Sequence, residues 1–183
     1  MDEQRKQEFF DFIESACKST TNYRRFQLNQ TIPQRLADAI KEVIGIDVSD
    51  YKNEIYEDIL RHIEKQHGKQ GIADHSMKDI NKFGRINDIL ENFDEIKKAN
   101  TSRKFINSDG SKAKTIEIKK EYIGELGHLI DAVPINNNKS LEVVSMYYEN
   151  KLEDTEQVPD ELKSPGHTPE TQPTNNVSSN QNI

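Results

Sequence analysis

The sequence predicts an α+β domain, with N-terminal helices followed by a small antiparallel β-meander sheet. Apolar residues recur at helical spacing up to about residue 93, and the period changes to two after about residue 103. An asparagine-rich turn then separates the last two strand-like runs.

In the first helix, Gln7 to Cys17, Phe9, Phe10, Phe12 and Ile13 form the apolar stripe, and Cys17 reads as a small core residue. A second helix is predicted after Thr31, with Pro33 in its first turn, running through Leu36, Ile40 and Val43 to Gly45. A third is predicted to start near Ser49 and Asp50 as caps, carrying Ile55, Ile59 and Ile63 until Gly68 stops it. Shorter helices are expected around Met77–Phe83 and Arg85–Phe93. Beyond them Ile116, Ile118 and Tyr122 alternate with Glu117, Lys119 and Glu121, the pattern of a half-buried strand. Leu126–Ile135 and Leu141–Tyr148 are two further strands, joined by Asn136–Lys139, where asparagine tolerates the positive φ of a hairpin.

Composition divides the chain. Of its 183 residues, 32 are acidic and 25 basic, for a formal charge of −7. Residues 152–183 carry −5 of that charge and four of the six prolines, which predicts a disordered acidic tail. The body, residues 1–151, carries only −2, so the overall acidity is no argument against an anionic ligand. The expected organisation is an N-terminal helical extension over 1–48, a domain over 49–151 and the tail. No 18-residue apolar run or apolar signal core is present, which argues against membrane spanning and signal-directed secretion. The single cysteine excludes a disulfide scaffold and fits a reducing compartment.

Glycine-rich phosphate loops, paired-cysteine zinc patterns and His-Glu-x-x-His are absent. The informative stretch is Leu60-Arg61-His62-Ile63-Glu64-Lys65-Gln66-His67-Gly68. On a helical wheel His62 borders the apolar sector and His67 lies within it, so both imidazoles are expected to face the sheet and can divide acid and base work. Their five-residue separation does not suit a shared metal. The competing reading is two packing histidines. The window 97–120 carries +6 and suits phosphate contacts, or equally a solvated edge strand. In the last strand, alternation places Ser145 and Tyr147 on the face of Leu141 and Val143, where hydroxyls can bond a phosphate or orient an imidazole. His128 is a weaker candidate, and His75 and His167 read as loop and tail residues.

The order of these features resembles the phage-associated branch of the barnase–EndoU–colicin–RelE nucleases, a domain often attached to phage head (MuF-type) proteins. The likeness covers residues 52–150: the Leu60–Gly68 helix end, the Asp79-Ile80 and Ile86–Ile96 segment, and the closing Val144-Ser145-Met146-Tyr147 strand. Asp131 and Pro134 interrupt the expected third strand. The resemblance implies a barnase/RelE-like fold and a metal-independent, toxin-like ribonuclease that cleaves RNA, with tRNA as one option, through attack by the ribose 2′-oxygen. It implies no cofactor, a possible phage structural or inhibitor partner, and a location in the host cytoplasm or a virion. Carried onto matching positions, it assigns catalysis to His62, His67, Ser145 and Tyr147. Arg61, Arg103, Lys104, Lys114 and Lys119 are the expected substrate contacts. The alternative is an inactive phage-related interaction module, with Phe9, Phe10 and Phe12 as a docking surface, or a nucleic-acid-binding module.

Overall fold

A computed structural model of the chain describes residues 2–20, 24–100, 105–135 and 137–151. Helix α1 (Glu3–Lys18), strand β1 (Arg25–Asn29), helix α2 (Gln34–Ile44), strand β2 (Lys52–Tyr56) and helix α3 (Glu57–His67) come first. A 3₁₀ turn (Ile80–Arg85) leads into helix α4 (Ile86–Asn92). Strands β3 (Glu95–Ala99), β4 (Lys114–Tyr122), β5 (Glu125–Val133) and β6 (Ser140–Asn150) complete the domain. The six strands lie in the order β1-β2-β6-β5-β4-β3, antiparallel except for the parallel pair β2–β6. The fold is α+β: β4 to β6 form the expected meander, and β3 adds a further strand at its edge.

Several local signals set the helix ends. Asp2 caps α1 by accepting from the Arg5 amide at 2.8 Å. Pro33 precedes α2, and Gly45 ends it in the left-handed region at φ 73°. The first half nevertheless differs from a purely helical reading, because β1 and β2 are inserted between helices. Residues 52–56 extend and pair with β1 and β6, and α3 begins only at Glu57. Buried Glu57 meets Arg24 at 2.6 Å. A five-residue strand holding one large aliphatic, Ile55, has too short a pattern to show its period. Residues 1–48 are built into the same unit as the meander, Met1–Glu153, through β1 on β2 and α1 on α3.

The helices cover one face of the sheet. Ile116, Ile118, Leu129, Val143 and Met146 are fully buried there. Phe9 packs on Phe26 with ring centroids 4.9 Å apart, and Phe12 lies 5.6 Å from the same ring, so these aromatics serve the core. Cys17, expected inside, is exposed: the inward stripe of α1 is Phe9, Ile13 and Ala16, and Cys17 sits about 100° further round. Among the described residues of this turn, Lys139 rather than an asparagine supplies the positive φ before β6. Asn136 lies outside the described residues, as do Arg103, Lys104 and the tail from residue 152.

The decisive irregularity is in β6. Asp131 pairs with Val143 but Ile130 pairs with Ser145, so Val144 is an extra residue, a β-bulge. Residues directly opposite each other share a face. Leu141 and Val143 therefore point to the helices, whereas Ser145 and Tyr147 point to the open face. This corrects the simple alternation that put all four together.

Asp131 remains within β5, fully buried on the helix side. Asn53 Nδ2 donates to its Oδ2 at 2.8 Å, and its Oδ1 has no hydrogen-bond partner among the described residues. Burial pushes the carboxyl up to about 7, against a smaller lowering by Asn53. A raised carboxyl pKa means that the folded state holds the proton more tightly than the unfolded chain. Stability should therefore fall as pH rises from about 4 to about 7 and level off above, by a few kcal/mol on the order of magnitude. Thermal unfolding of Asp131→Asn and the wild type across this range checks it: the variant should lose the slope and be the more stable protein at pH 8. Equal slopes would contradict the assignment.

Candidate active site

The end of α3 is shaped by the segment that follows it. A helix leaves its last carbonyls unpaired, and here residues 68–78 fold back to bond them. The amides of Ile72, Ala73 and Met77 donate to the carbonyls of Lys65, Gln66 and His67 at 3.0, 2.9 and 2.7 Å. Gly71 permits the close pass: a Cβ there would lie 2.1 Å from the Asp74 carbonyl oxygen and 2.5 Å from that of Gln66. The wrap brings Asp74 Oδ2 to 2.7 Å from His67 Nδ1, and Asp74 Oδ1 accepts from the Ser76 amide at 2.8 Å. Burial pushes the Asp74 carboxyl up, but bonds from the Ser76 hydroxyl and amide and from His67 outweigh it and hold it below the usual carboxylate range. With Nδ1 committed to a carboxylate, the proton on that nitrogen is fixed and Nε2 is the reactive edge of the ring.

This helix end meets β6 where β2 has left it. β2 pairs only with residues 140–142, and further along the edge Tyr148 N donates to Ser76 Oγ at 3.1 Å. The His67 ring stacks on Tyr147, with centroids 5.3 Å apart and planes 21° apart. His128, directly opposite Tyr147 on β5, stacks on the same ring at 4.5 Å and 7°. Each aromatic pair of this kind contributes about 0.5–1.5 kcal/mol. His128 Nδ1 donates to Glu117 Oε1 at 2.6 Å, and Glu117 Oε2 lies 3.0 Å from Lys97 Nζ. Tyr147 makes a long hydroxyl bond to Glu117 Oε1 at 3.4 Å.

Asp74, His67, Tyr147, His128, Glu117 and Lys97 thus form a row from the edge of β6 across the open face to β3. Burial raises the Glu117 carboxyl, but bonds from His128 and Lys97 prevail and leave it below its ordinary range. Burial and the Glu117 charge push the Tyr147 hydroxyl up to about 12, so it stays a donor at neutral pH. The His67 side chain is 14% exposed and that of Glu117 12%, whereas His128 is sealed at 3%. His128 Nε2 has no hydrogen-bond partner among the described residues, with Glu149 Oε2 at 3.4 Å.

The sequence candidates separate accordingly. His67 and Tyr147 meet, Ser145 shares their face, and Lys119 sits opposite His128 in register with Glu95 at 3.5 Å. His62 is exposed and turned about 140° around α3 from His67. Arg61 donates to the Ala16 carbonyl at 3.0 Å, against α1. Lys114 reaches the Ile44 carbonyl at 2.6 Å, at the end of α2. Asp74 and Glu117 were not singled out by sequence reasoning, Lys97 entered only as part of the basic window 97–120, and His128 was ranked low. A lone acid or histidine on an alternating strand becomes a pair only when the cross-strand register is known.

Among the described residues no group of three or more His, Cys, Asp or Glu is placed to hold a metal ion. No helix among them is long and apolar enough to cross a membrane. The family whose model matches the sequence, over residues 30–156, is described as phage-Barnase-EndoU-ColicinE5/D-RelE like nuclease3. No curated protein and no solved structure matches the chain.

Since a side chain at Gly71 meets backbone on two sides, Gly71→Ala should shift the loop and loosen the Asp74–His67 bond. The expected cost is about 1–3 kcal/mol of stability, read by thermal unfolding, with the His67 and Tyr147 ring-proton resonances moving as the stack opens. Unchanged stability and resonances would mean that the loop does not hold the histidine.

Proposed function

The chain belongs to the phage-Barnase-EndoU-ColicinE5/D-RelE like nuclease family, and from that premise we propose that it is a metal-independent endoribonuclease of phage or mobile-element origin, toxin-like in action. The observation that carries this reading is the position of Tyr147, with an Asp74-held imidazole on one side and the Glu117 carboxylate on the other. Attack of a ribose 2′-oxygen on the neighbouring phosphate needs a base on the entering side and an acid on the leaving side. A phosphate at the Tyr147 hydroxyl would have both. Glu117, ionised at neutral pH, accepts the 2′-proton, and His67, through Nε2, protonates the departing 5′-oxygen. Lys97, Lys119 and the hydroxyls of Tyr147 and Ser145 balance charge on the phosphorane. His128 fixes the Glu117 carboxylate and braces the Tyr147 ring, which makes it a positioning residue. A phage structural or inhibitor protein as partner, and a host-cytoplasmic or virion location, accord with such an activity.

The burial of His128 and most of His67 favours a second reading, a nucleic-acid-binding module in which the stacked rings only stabilise the open face.

Cleavage of a single-stranded RNA in EDTA separates the two. His67→Ala and Glu117→Gln should each lower the rate by roughly 10²–10⁴-fold, and Tyr147→Phe by about 10², with unchanged circular dichroism. His62→Ala should cost far less. A loss at His62 as large as that at His67 would instead restore a helix-borne histidine pair and remove Glu117 from the chemistry. RNA bound but left intact by the wild type would support the second reading.

A further inference from the structure

A cleft of about 540 Å³ opens beside Tyr147 at the Asp74 end of the row, along the edge of β6 that β2 leaves free. His75, Lys78 and Lys82 line it from the segment after α3, and Tyr147, Glu149 and Asn150 line it from the strand. Its volume falls in the range of small-ligand sites, roughly 300–1,000 Å³, and accommodates one nucleotide unit. The lining offers what such a unit requires. His75 presents an exposed ring, fixed by a 3.3 Å contact of Nδ1 with the Gly68 carbonyl. Asn150 and Glu149 are exposed and can face the donors and acceptors of a base edge.

The two lysines differ in availability. Lys82 is committed to Glu125 at 2.5 Å and lies over the Tyr148 ring at 4.4 Å. Lys78 is exposed and has no ion-pair partner among the described residues. A free cation at the rim of a cleft that shares a wall with the proposed reacting phosphate suits the next phosphate along a chain.

We infer that this cleft is a substrate subsite that takes the nucleotide next to the scissile phosphate, its base inside and its outer phosphate on Lys78. The inference rests on the ribonuclease reading for the identity of the ligand, and it narrows the substrate class. A base inserted beside the edge of β6 must be unpaired, so the substrate is single-stranded RNA, a loop or an end, and not continuous A-form duplex.

The test uses the full chain and a 2′-O-methyl RNA hexamer, which lacks the attacking hydroxyl and stays uncut, with binding followed by fluorescence anisotropy at several salt concentrations. Lys78→Glu should weaken binding about tenfold and lower the slope of log affinity against log salt by about 0.7–1, one phosphate contact. Lys18→Glu, the same charge change on the exposed end of α1, should do neither. A duplex of the same sequence should bind more weakly and be indifferent to Lys78→Glu. Equal effects of the two substitutions, or duplex bound as well as single strand, would overturn the subsite. Tight, Lys78-dependent binding by a wild type that leaves unmodified RNA intact would keep the subsite and reject the nuclease reading. Cleavage with no Lys78 dependence of binding would do the reverse.

Discussion

One inserted residue decides what the open face of this sheet can do. Without the bulge at Val144, strict alternation would send the Ser145 hydroxyl and the Tyr147 ring into the layer of Val143 and Leu141, beneath the helices. With it, the same strand presents an apolar face to the core in its first half and still delivers two hydroxyls to the opposite side further on. The stack of His67, Tyr147 and His128 follows from that switch. So does the contact of the Tyr147 hydroxyl with Glu117.

A second constraint comes from strand pairing. Because β2 accompanies β6 for only three residues and then turns into α3, the helix end and its wrap replace a neighbouring strand along the rest of the edge. A helix C-terminus lacks partners for its carbonyls, and the backbone that supplies them also carries Asp74 and Ser76. Local hydrogen-bond demand and the orientation of His67 are thus met by one segment. The carboxylates of the row lie partly out of water and are costly alone, but each has a hydrogen-bond donor: Asp74 has His67, and Glu117 has His128 and Lys97. Besides His128 Nε2, unsatisfied polar atoms lie around the starts of β2 and β6, where Asn53 Oδ1, Asp131 Oδ1 and Ser140 Oγ are buried without partners among the described residues. Each such group costs about 1–3 kcal/mol.

Much of the fold was legible in residues whose effect is local. Pro33 and Gly45 bound α2, Ile116 and Ile118 mark β4, and the long final run marks β6. β1 and β2 were not legible, because five-residue strands owe their existence to partners distant in sequence. For the site, the sequence singled out His67, Tyr147 and Ser145 from composition and order. It could not show the bulge that puts the last two on the open face, the loop that brings Asp74 to His67, or the register that sets His128 beside Glu117. His62 drew attention through a wheel that assumed a helix from Ile55. The helix begins at Glu57, and His62 is on its exposed side.

The chemistry attributed to the Tyr147 row leaves a signature in its products, independent of any substitution. Mass spectrometry of single-stranded RNA cut by the wild-type chain in EDTA should find 2′,3′-cyclic phosphate on the upstream fragments and free 5′-hydroxyls on the downstream ones. Fragments with 5′-phosphates, or cutting that requires a divalent metal, would contradict attack by the neighbouring ribose oxygen.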